Sequence, residues 1–157
     1  MTRTDYYNDP NAPAPNSVVP GGSAVVIDDS GRVLLHRRRD SGLWALPGGV
    51  MDLGETIADA VAREVREETG VTVEITGVVG IYSDPQHVIA YSDGEVRQQF
   101  NVCLRARPVS GTAHATDEAS EVRWVSPAEL DALDMHPTQR LRIGHALDES
   151  RVQPFLG

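Results

Sequence analysis

The stretch Arg63-Glu64-Val65-Arg66-Glu67-Glu68-Thr69-Gly70 (REVREETG, residues 63–70) ends a run that reads as a helix, yet it places three glutamates within about one turn of each other. Like charges three or four positions apart on a helix repel by roughly 0.2–0.5 kcal/mol per pair. On a wheel of 100° per residue with Glu64 at zero, Glu67 falls near ~300° and Glu68 near ~40°. Ile57, Ala58, Val61, Ala62 and Val65 fall between about 20° and 160°, so the acids sit beside the apolar stripe and not opposite it. Arg63, near ~260°, flanks them, while Asp59 and Arg66 take the far side. A merely solvated face would set its acids opposite the core. This pattern aims them along the seam where the helix meets a sheet.

Immediately upstream lies a glycine-rich segment, LPGGVMDLGE (residues 46–55), expected to be a loop after a short strand. Glycine lets backbone carbonyls and amides approach a ligand closely. Three carboxylates with a backbone carbonyl make a hard, oxygen-rich set of the kind that holds Mg²⁺ or Mn²⁺. A cation there would turn the repulsion into coordination. The helix itself is expected over residues 55–70, stopped by Gly70 in the position that suits a left-handed backbone.

Farther out, SAVVIDDSGRVLLHRRR (residues 23–39) reads as two β-rich runs around a hairpin turn at Asp28-Asp29-Ser30-Gly31. VTVEITGVVGIYS (71–83) is again β-like, and DPQHVIAYSDGEV (84–96) is a long loop or hairpin turning at Asp93-Gly94. RQQFNVCLRARPV (97–109) alternates, with Phe100, Val102, Leu104 and Ala106 on one side and Gln99, Asn101, Cys103 and Arg105 on the other. That makes Cys103 a strand bystander. After a polar loop come a short strand, EVRWV (121–125), a helix SPAELDAL (126–133) opened by Ser126 as N-cap, and a helix near 137–147. Strands and helices in this order indicate a layered α/β domain.

Residues 1–20 carry Pro10, Pro13, Pro15 and Pro20, which predicts an extended N-terminal arm, with the domain proper over 21–148 and a tail over 149–157. Tyr6 and Tyr7 either pin the arm to the body or hang loose. At 157 residues the chain suffices for one domain with a real core. No apolar run approaches the ~18 residues of a membrane helix. Cys103 is the single cysteine, which excludes an intrachain disulfide and suits a reducing, cytoplasmic setting. The formal charge of -9 argues against a nucleic-acid polymer as partner, because such binding needs a basic stripe. All 14 basic residues are arginine, a bias that a GC-rich genome explains. One small anionic substrate stays admissible if a local positive centre offsets the field.

Gly49, Glu55 and the run Arg63-Glu64-Val65-Arg66-Glu67-Glu68-Thr69-Gly70-Val71 fit every fixed position of the Nudix box, so the chain resembles the Nudix hydrolases. GRVLLHRRRDSGLWALPGG upstream and DEASEVRWVSPAEL downstream are similar to the flanks of that box, and the resemblance covers roughly residues 22–134. It implies an α/β/α sandwich with a mixed sheet between helices and the box as a loop-helix-loop. It also implies cleavage of a nucleoside diphosphate derivative by water attack on phosphorus, with a divalent metal.

Carried over, the resemblance makes Glu64 and Glu68 the main metal ligands, with Glu67 sharing and the carbonyl of Gly48 completing the set. Arg63 would orient a glutamate, and Glu55 would brace the helix or reach a metal-bound water. The proton of the attacking water would go to a box glutamate or to a later one, Glu118 first and Glu121 second. Arg38 is the family's choice for a substrate phosphate, its fork matching two oxygens. Trp44 either packs under the glycine segment or stacks on a base. His87 and Tyr91 would meet substrate only if their loop closes over it; His36, His114, His136 and His145 form no spaced ligand pair and receive no role.

ADP-ribose-type diphosphates are the favoured substrates, partly because Pro85 lies one or two residues short of the position where that subgroup carries a proline. Nucleoside triphosphates, oxidised or ordinary, are the alternative. A different class is a non-catalytic nucleotide-sensing module, which the presence of Glu55, Glu64, Glu67 and Glu68 disfavours. Homodimerisation follows family habit, with the proline-rich arm free to cross to a second subunit.

Overall fold

A computed structural model describes residues 2–157. Strand β1 (Arg3–Tyr7) is followed by β2 (Ser17–Val26), β3 (Val33–Arg38), β4 (Trp44–Ala45) and β5 (Gly48–Val50). Helix α1 (Ile57–Thr69) then leads to β6 (Val71–Tyr82), β7 (His87–Tyr91), β8 (Val96–Gly111) and β9 (Ala119–Val125). A 3₁₀ turn (Pro127–Ala132), helix α2 (Pro137–Leu147) and β10 (Phe155–Leu156) complete the chain.

The centre is β2, whose Ala24, Val25 and Val26 are wholly buried. It pairs with β8 in parallel and with β5 antiparallel, so both of its edges are taken. The other edge of β8 is shared by β7 and then β6, giving a mixed seven-stranded sheet; β3, β4 and β9 form a second, three-stranded sheet. The occupied edges of β2 explain why the expected hairpin at residues 28–31 opens out. The turn forms, with the Asp28 carboxylate accepting from the Ser30 and Arg32 amides, but only Ile27 and Val33 pair across it. Beyond that bridge β3 leaves to pair with β9.

Two cores result. Ala24, Val26, Leu34, Leu104 and Ala106 pack against Val61 and Val65 of α1, while Val25, Leu35, Val79 and Cys103 pack against Ile143 and Ala146 of α2. This is the α/β/α sandwich that the resemblance implies. Alternation along β8 holds, but the side read as the polar one is also covered. Asn101 and Cys103 are buried there, and Cys103 belongs to the core. Arg105 on that side donates to the Ala146 carbonyl near the end of α2.

Helix α1 begins where Thr56 Oγ1 accepts from the Asp59 amide, a cap of about 1 kcal/mol, and ends at Gly70 with φ of 81°. The expected helix at 126–133 is a 3₁₀ turn instead. Ser126 makes no side-chain cap; its hydroxyl donates to the Glu129 carboxylate, and the Glu129 amide donates to the Ser126 carbonyl in an i→i+3 bond.

The N-terminal segment is extended and held against the body. Residues 3–7 form an edge strand against β7 of the same chain, with Arg3 opposite Tyr91 and Tyr7 opposite His87, and β2 begins at Ser17. Pro10, Pro13 and Pro15 fall in the stretch between the two strands, whereas Pro20 lies within β2, opposite Phe100. Tyr7 is pinned, edge-on to the His87 and His136 rings. The 87–91 segment is accordingly a strand in a hairpin, its turn at Gly94 with φ of 96°.

Candidate active site

Strand β5 and helix α1 meet where the glutamates converge. The expected glycine loop is in part a strand: Gly48 and Gly49 lie opposite Ser23 and Gly22 of β2. A Cβ at Gly49 would stand 2.5 Å from Glu64 Cδ, so the missing side chain is the seat of that carboxylate. One turn on, Glu68 is 5% exposed, and the Gly48 amide donates to its Oε2 at 3.4 Å. Burial above all, and then the adjacent Glu64 carboxylate, push the Glu68 pKa well above its ordinary value. Like charges ~4 Å apart repel by about 4 kcal/mol at an effective dielectric constant near 20, which is enough to keep a proton on the pair until a cation replaces it.

Arg63 holds the outer side of this pair. Its Nε and Nη2 donate to the two Glu55 oxygens at 2.6 and 3.0 Å, and Nη1 donates to Glu64 at 2.9 Å and Glu67 at 3.2 Å. Nη2 also donates to the Val50 carbonyl at 3.3 Å, tying α1 to β5. Glu55 accepts from the Asp52 amide as well, so the brace reaches back into the loop.

The inner side is closed by a residue with no sequence-assigned role, His36 of β3. Its Nδ1 lies 3.1 Å from Glu68 Oε2, yet neither ring nitrogen has a hydrogen-bond partner, so the contact is close but poorly aligned. Burial, and next the Arg38 charge, lower its pKa to about 4, leaving a neutral imidazole at pH 7. The signal was the two-residue step from Leu34, which puts His36 on the α1 face of its strand.

Beside these groups opens a cavity of about 480 Å³, within the usual range for small-molecule sites. Gly48, Gly49 and Val50 line one part of it, and His87, His136 and Arg142 another.

A family model for the NUDIX domain matches residues 19–146. This chain belongs to the Nudix hydrolase family. The ADP-ribose pyrophosphatase of Methanocaldococcus jannaschii is 38% identical over 116 residues, covering 69% of this chain and 62% of that one. The nucleoside triphosphatase NudI of Enterobacter sp. (strain 638) is 34% identical over 124 residues, covering 74% and 88%. A crystal structure of a NUDIX hydrolase from Nitrosomonas europaea superposes with a TM-score of 0.75 at 24% identity, covering 90% of this chain and 78% of that one.

Within this Nudix fold the residues singled out in the sequence fall into three groups. Glu55, Arg63, Glu64, Glu68, Gly48 and Gly49 come together as described. Glu67 stays at the rim, its side chain 56% exposed and held by Arg63. Glu118 is exposed on the loop before β9, near enough for its charge to raise the Glu68 pKa further. Arg38 and Trp44 line the cavity, but the Arg38 fork is already engaged by both Asp40 oxygens, at 2.9 and 2.7 Å. That ion pair holds the Asp40 carboxyl down at about 2. Trp44 is 6% exposed in the core, with the Arg123 guanidinium 5.3 Å over its ring. His87 and Tyr91 line the cavity without any loop closure, because β7 is a strand of the sheet.

The seat at Gly49 makes a direct prediction. Gly49→Ala would push the Glu64 carboxylate off β5, and a misplacement of about 1 Å at a reaction centre can cost ~10² in rate. The expected outcome is a kcat lower by about that factor with a folded protein by circular dichroism; unchanged turnover would show that Glu64 does not need this position.

Proposed function

We propose that this Nudix hydrolase cleaves the diphosphate linkage of a nucleoside diphosphate derivative, ADP-ribose-like substrates being favoured, with Mg²⁺ or Mn²⁺ as cofactor. The observation that carries the reading is the Glu64–Glu68 pair, Glu64 seated on the side-chain-free strand β5 and Glu68 buried one turn on, with Gly48, Gly49 and Val50 of that strand lining a nucleotide-sized cavity. Nudix hydrolases use divalent metal ions, and the donor set here fits one. It is all oxygen, and the proton that the Glu64–Glu68 pair retains is one that a cation would displace. Glu64, Glu68 and the Gly48 backbone would hold the ion, with Glu67 sharing from the rim. When bound, it supplies the positive charge that offsets the diphosphate and lowers the pKa of water.

The chain's own residues supply position and proton transfer. Arg63 fixes the direction of Glu64 through two oxygens of Glu55. The proton of the attacking water passes to a carboxylate, either a box glutamate or Glu118. The choice of ADP-ribose draws on the Methanocaldococcus relative's name; the NudI name supports nucleoside triphosphates as the second reading. A panel of ADP-ribose, dGTP and 8-oxo-dGTP with Mg²⁺ separates them. ADP-ribose turned over with the highest kcat/KM is the expected result. Release of neither phosphate nor nucleoside monophosphate from any of them would overturn the hydrolase reading and leave the nucleotide-sensing alternative.

A further inference from the structure

Four arginines line the large cavity, and three of them are neutralised. Arg3 pairs with Asp5 at 2.9 Å, Arg38 with Asp40 at 2.7 Å and Arg97 with Glu95 at 2.8 Å. Arg142 of α2 is different. It is 3% exposed, its Nε has no hydrogen-bond partner, and no carboxylate pairs with it among the described residues. The titratable groups acting on it are the Cys103 thiol and the Tyr82 phenol, both of which burial keeps in their neutral forms. Its compensation is the face of the Tyr82 ring, 5.2 Å from Cζ, which is weak beside an ion pair.

Guanidinium cannot shed its proton in a protein, so burial without a counter-charge is costly and rare. Arg140, two positions earlier on α2, shows the ordinary alternative: its Nη1 and Nη2 are taken by the Leu130 and Leu133 carbonyls. Arg142 instead reaches the wall shared by the large cavity and a second one of about 340 Å³. Beside it stand His87 and His136, stacked at 5.0 Å, the former with a buried, unpartnered Nε2. Burial lowers the pKa of both rings, to about 4 for His87, so at pH 7 they add hydrogen-bonding atoms and no charge.

The Asp5 carboxylate lies within 4.8 Å of both rings, but Arg3 already pairs with it, so the charge left without a partner on this wall is the Arg142 cation, a receptor for an oxyanion. We propose that Arg142, with His87 and His136, binds an anionic group, a phosphomonoester or carboxylate, on the part of the substrate remote from the cleaved diphosphate. The inference rests on the cavity being the substrate site, but not on which bond is cut. It makes substrates bearing such a group the preferred class and explains how a chain of charge -9 holds a polyanion at a point away from its metal site.

The test uses inorganic phosphate on the full-length protein in EDTA, where the acidic metal site repels anions and cannot account for binding. Phosphate is expected to raise the wild-type Tm in a saturable way and to broaden its own ³¹P resonance, with chloride at equal ionic strength inert. In Arg142→Met the phosphate affinity falls at least tenfold, while Tm in anion-free buffer rises by about 3 °C or more, since an apolar residue relieves the buried charge. Arg142→Lys keeps part of the phosphate response. Equal phosphate binding in wild type and Arg142→Met, or none in wild type, overturns the proposal. So does collapse of the Arg142→Met fold, because the charge would then have a structural partner. None of these outcomes depends on turnover, so failure of the hydrolase reading is recognised separately by the nucleotide panel.

Discussion

Glu68→Gln lowers kcat by at least about 10², the loss typical of removing one charge-stabilising group at a reaction centre, and at the same time makes the metal-free protein more stable at neutral pH. Both effects come from the same burial. Glu68 is raised above its ordinary 4.5 because its charged form is desolvated and faces Glu64. For a group whose pKa is higher in the folded state, the stabilising contribution is complete below the unfolded value and is lost as pH rises through the folded one. In EDTA the wild-type Tm should therefore decline as pH rises above about 5, and Glu68→Gln should flatten that decline because glutamine has no proton to lose. Added Mg²⁺ should restore wild-type stability at high pH and do much less for the variant, since ligand binding to the folded state stabilises only in proportion to its affinity. Near-normal turnover in Glu68→Gln would remove Glu68 from the metal site. A flat wild-type profile in EDTA would mean that the two carboxylates do not share a proton at all.

Arg63→Met is expected to cost 10- to 100-fold in kcat/KM at limiting Mg²⁺, the usual range for losing a group that orients metal ligands. The guanidinium donates to Glu55, Glu64 and Glu67 and to the Val50 carbonyl, so its loss frees the Glu64 carboxylate and the β5 edge together. Because the ligands themselves remain, excess Mg²⁺ should recover part of the activity, which separates this variant from Glu68→Gln. Arg63→Lys should rescue little, as one ammonium cannot serve both oxygens of Glu55 while also reaching Glu64. If Mg²⁺ titration curves for wild type and Arg63→Met superpose, the network only props the helix.

The glutamate seam was legible because it is local. Glu64 and Glu68 are four positions apart on one helix, Gly49 sits beside them at family spacing, and helical periodicity alone aims the acids at the sheet. Glu67 lies at the edge of that sector on the side away from the apolar stripe, and the structure accordingly leaves it in solvent against Arg63. What stayed hidden depends on tertiary neighbours. His36 meets Glu68 across 32 positions of chain, because β3 lies beside α1 in space. Arg142 looks like any helix-surface arginine until α2 is laid against the sheet, since nothing in its neighbourhood along the chain distinguishes it from Arg140. Strand β1 is short and precedes a proline-rich segment, and an edge strand with one partner needs little apolar patterning to hold it. The hairpin at Asp28 was half right, since turn chemistry is a local matter whereas the partner of β3 is decided by which edges β2 has left open.

The parallel pairing of β2 with β8 sets the order in which this site can be assembled. Ser17 lies opposite Arg97 and Val26 opposite Ala106, a constant offset of 80 positions like that between Asn16 and Val96. Loop closure over such a span must be met before the pairing gives anything back, so this strand pair is a slow, late contact. On the ribosome the glutamate helix emerges complete while the strand that shoulders β2 is still untranslated. Until β8 arrives, β2 lacks one of its two flanks, β5 has no finished platform, and the acids of α1 have nothing to converge upon. The platform beneath the α1 acids is therefore finished only when the C-terminal half docks.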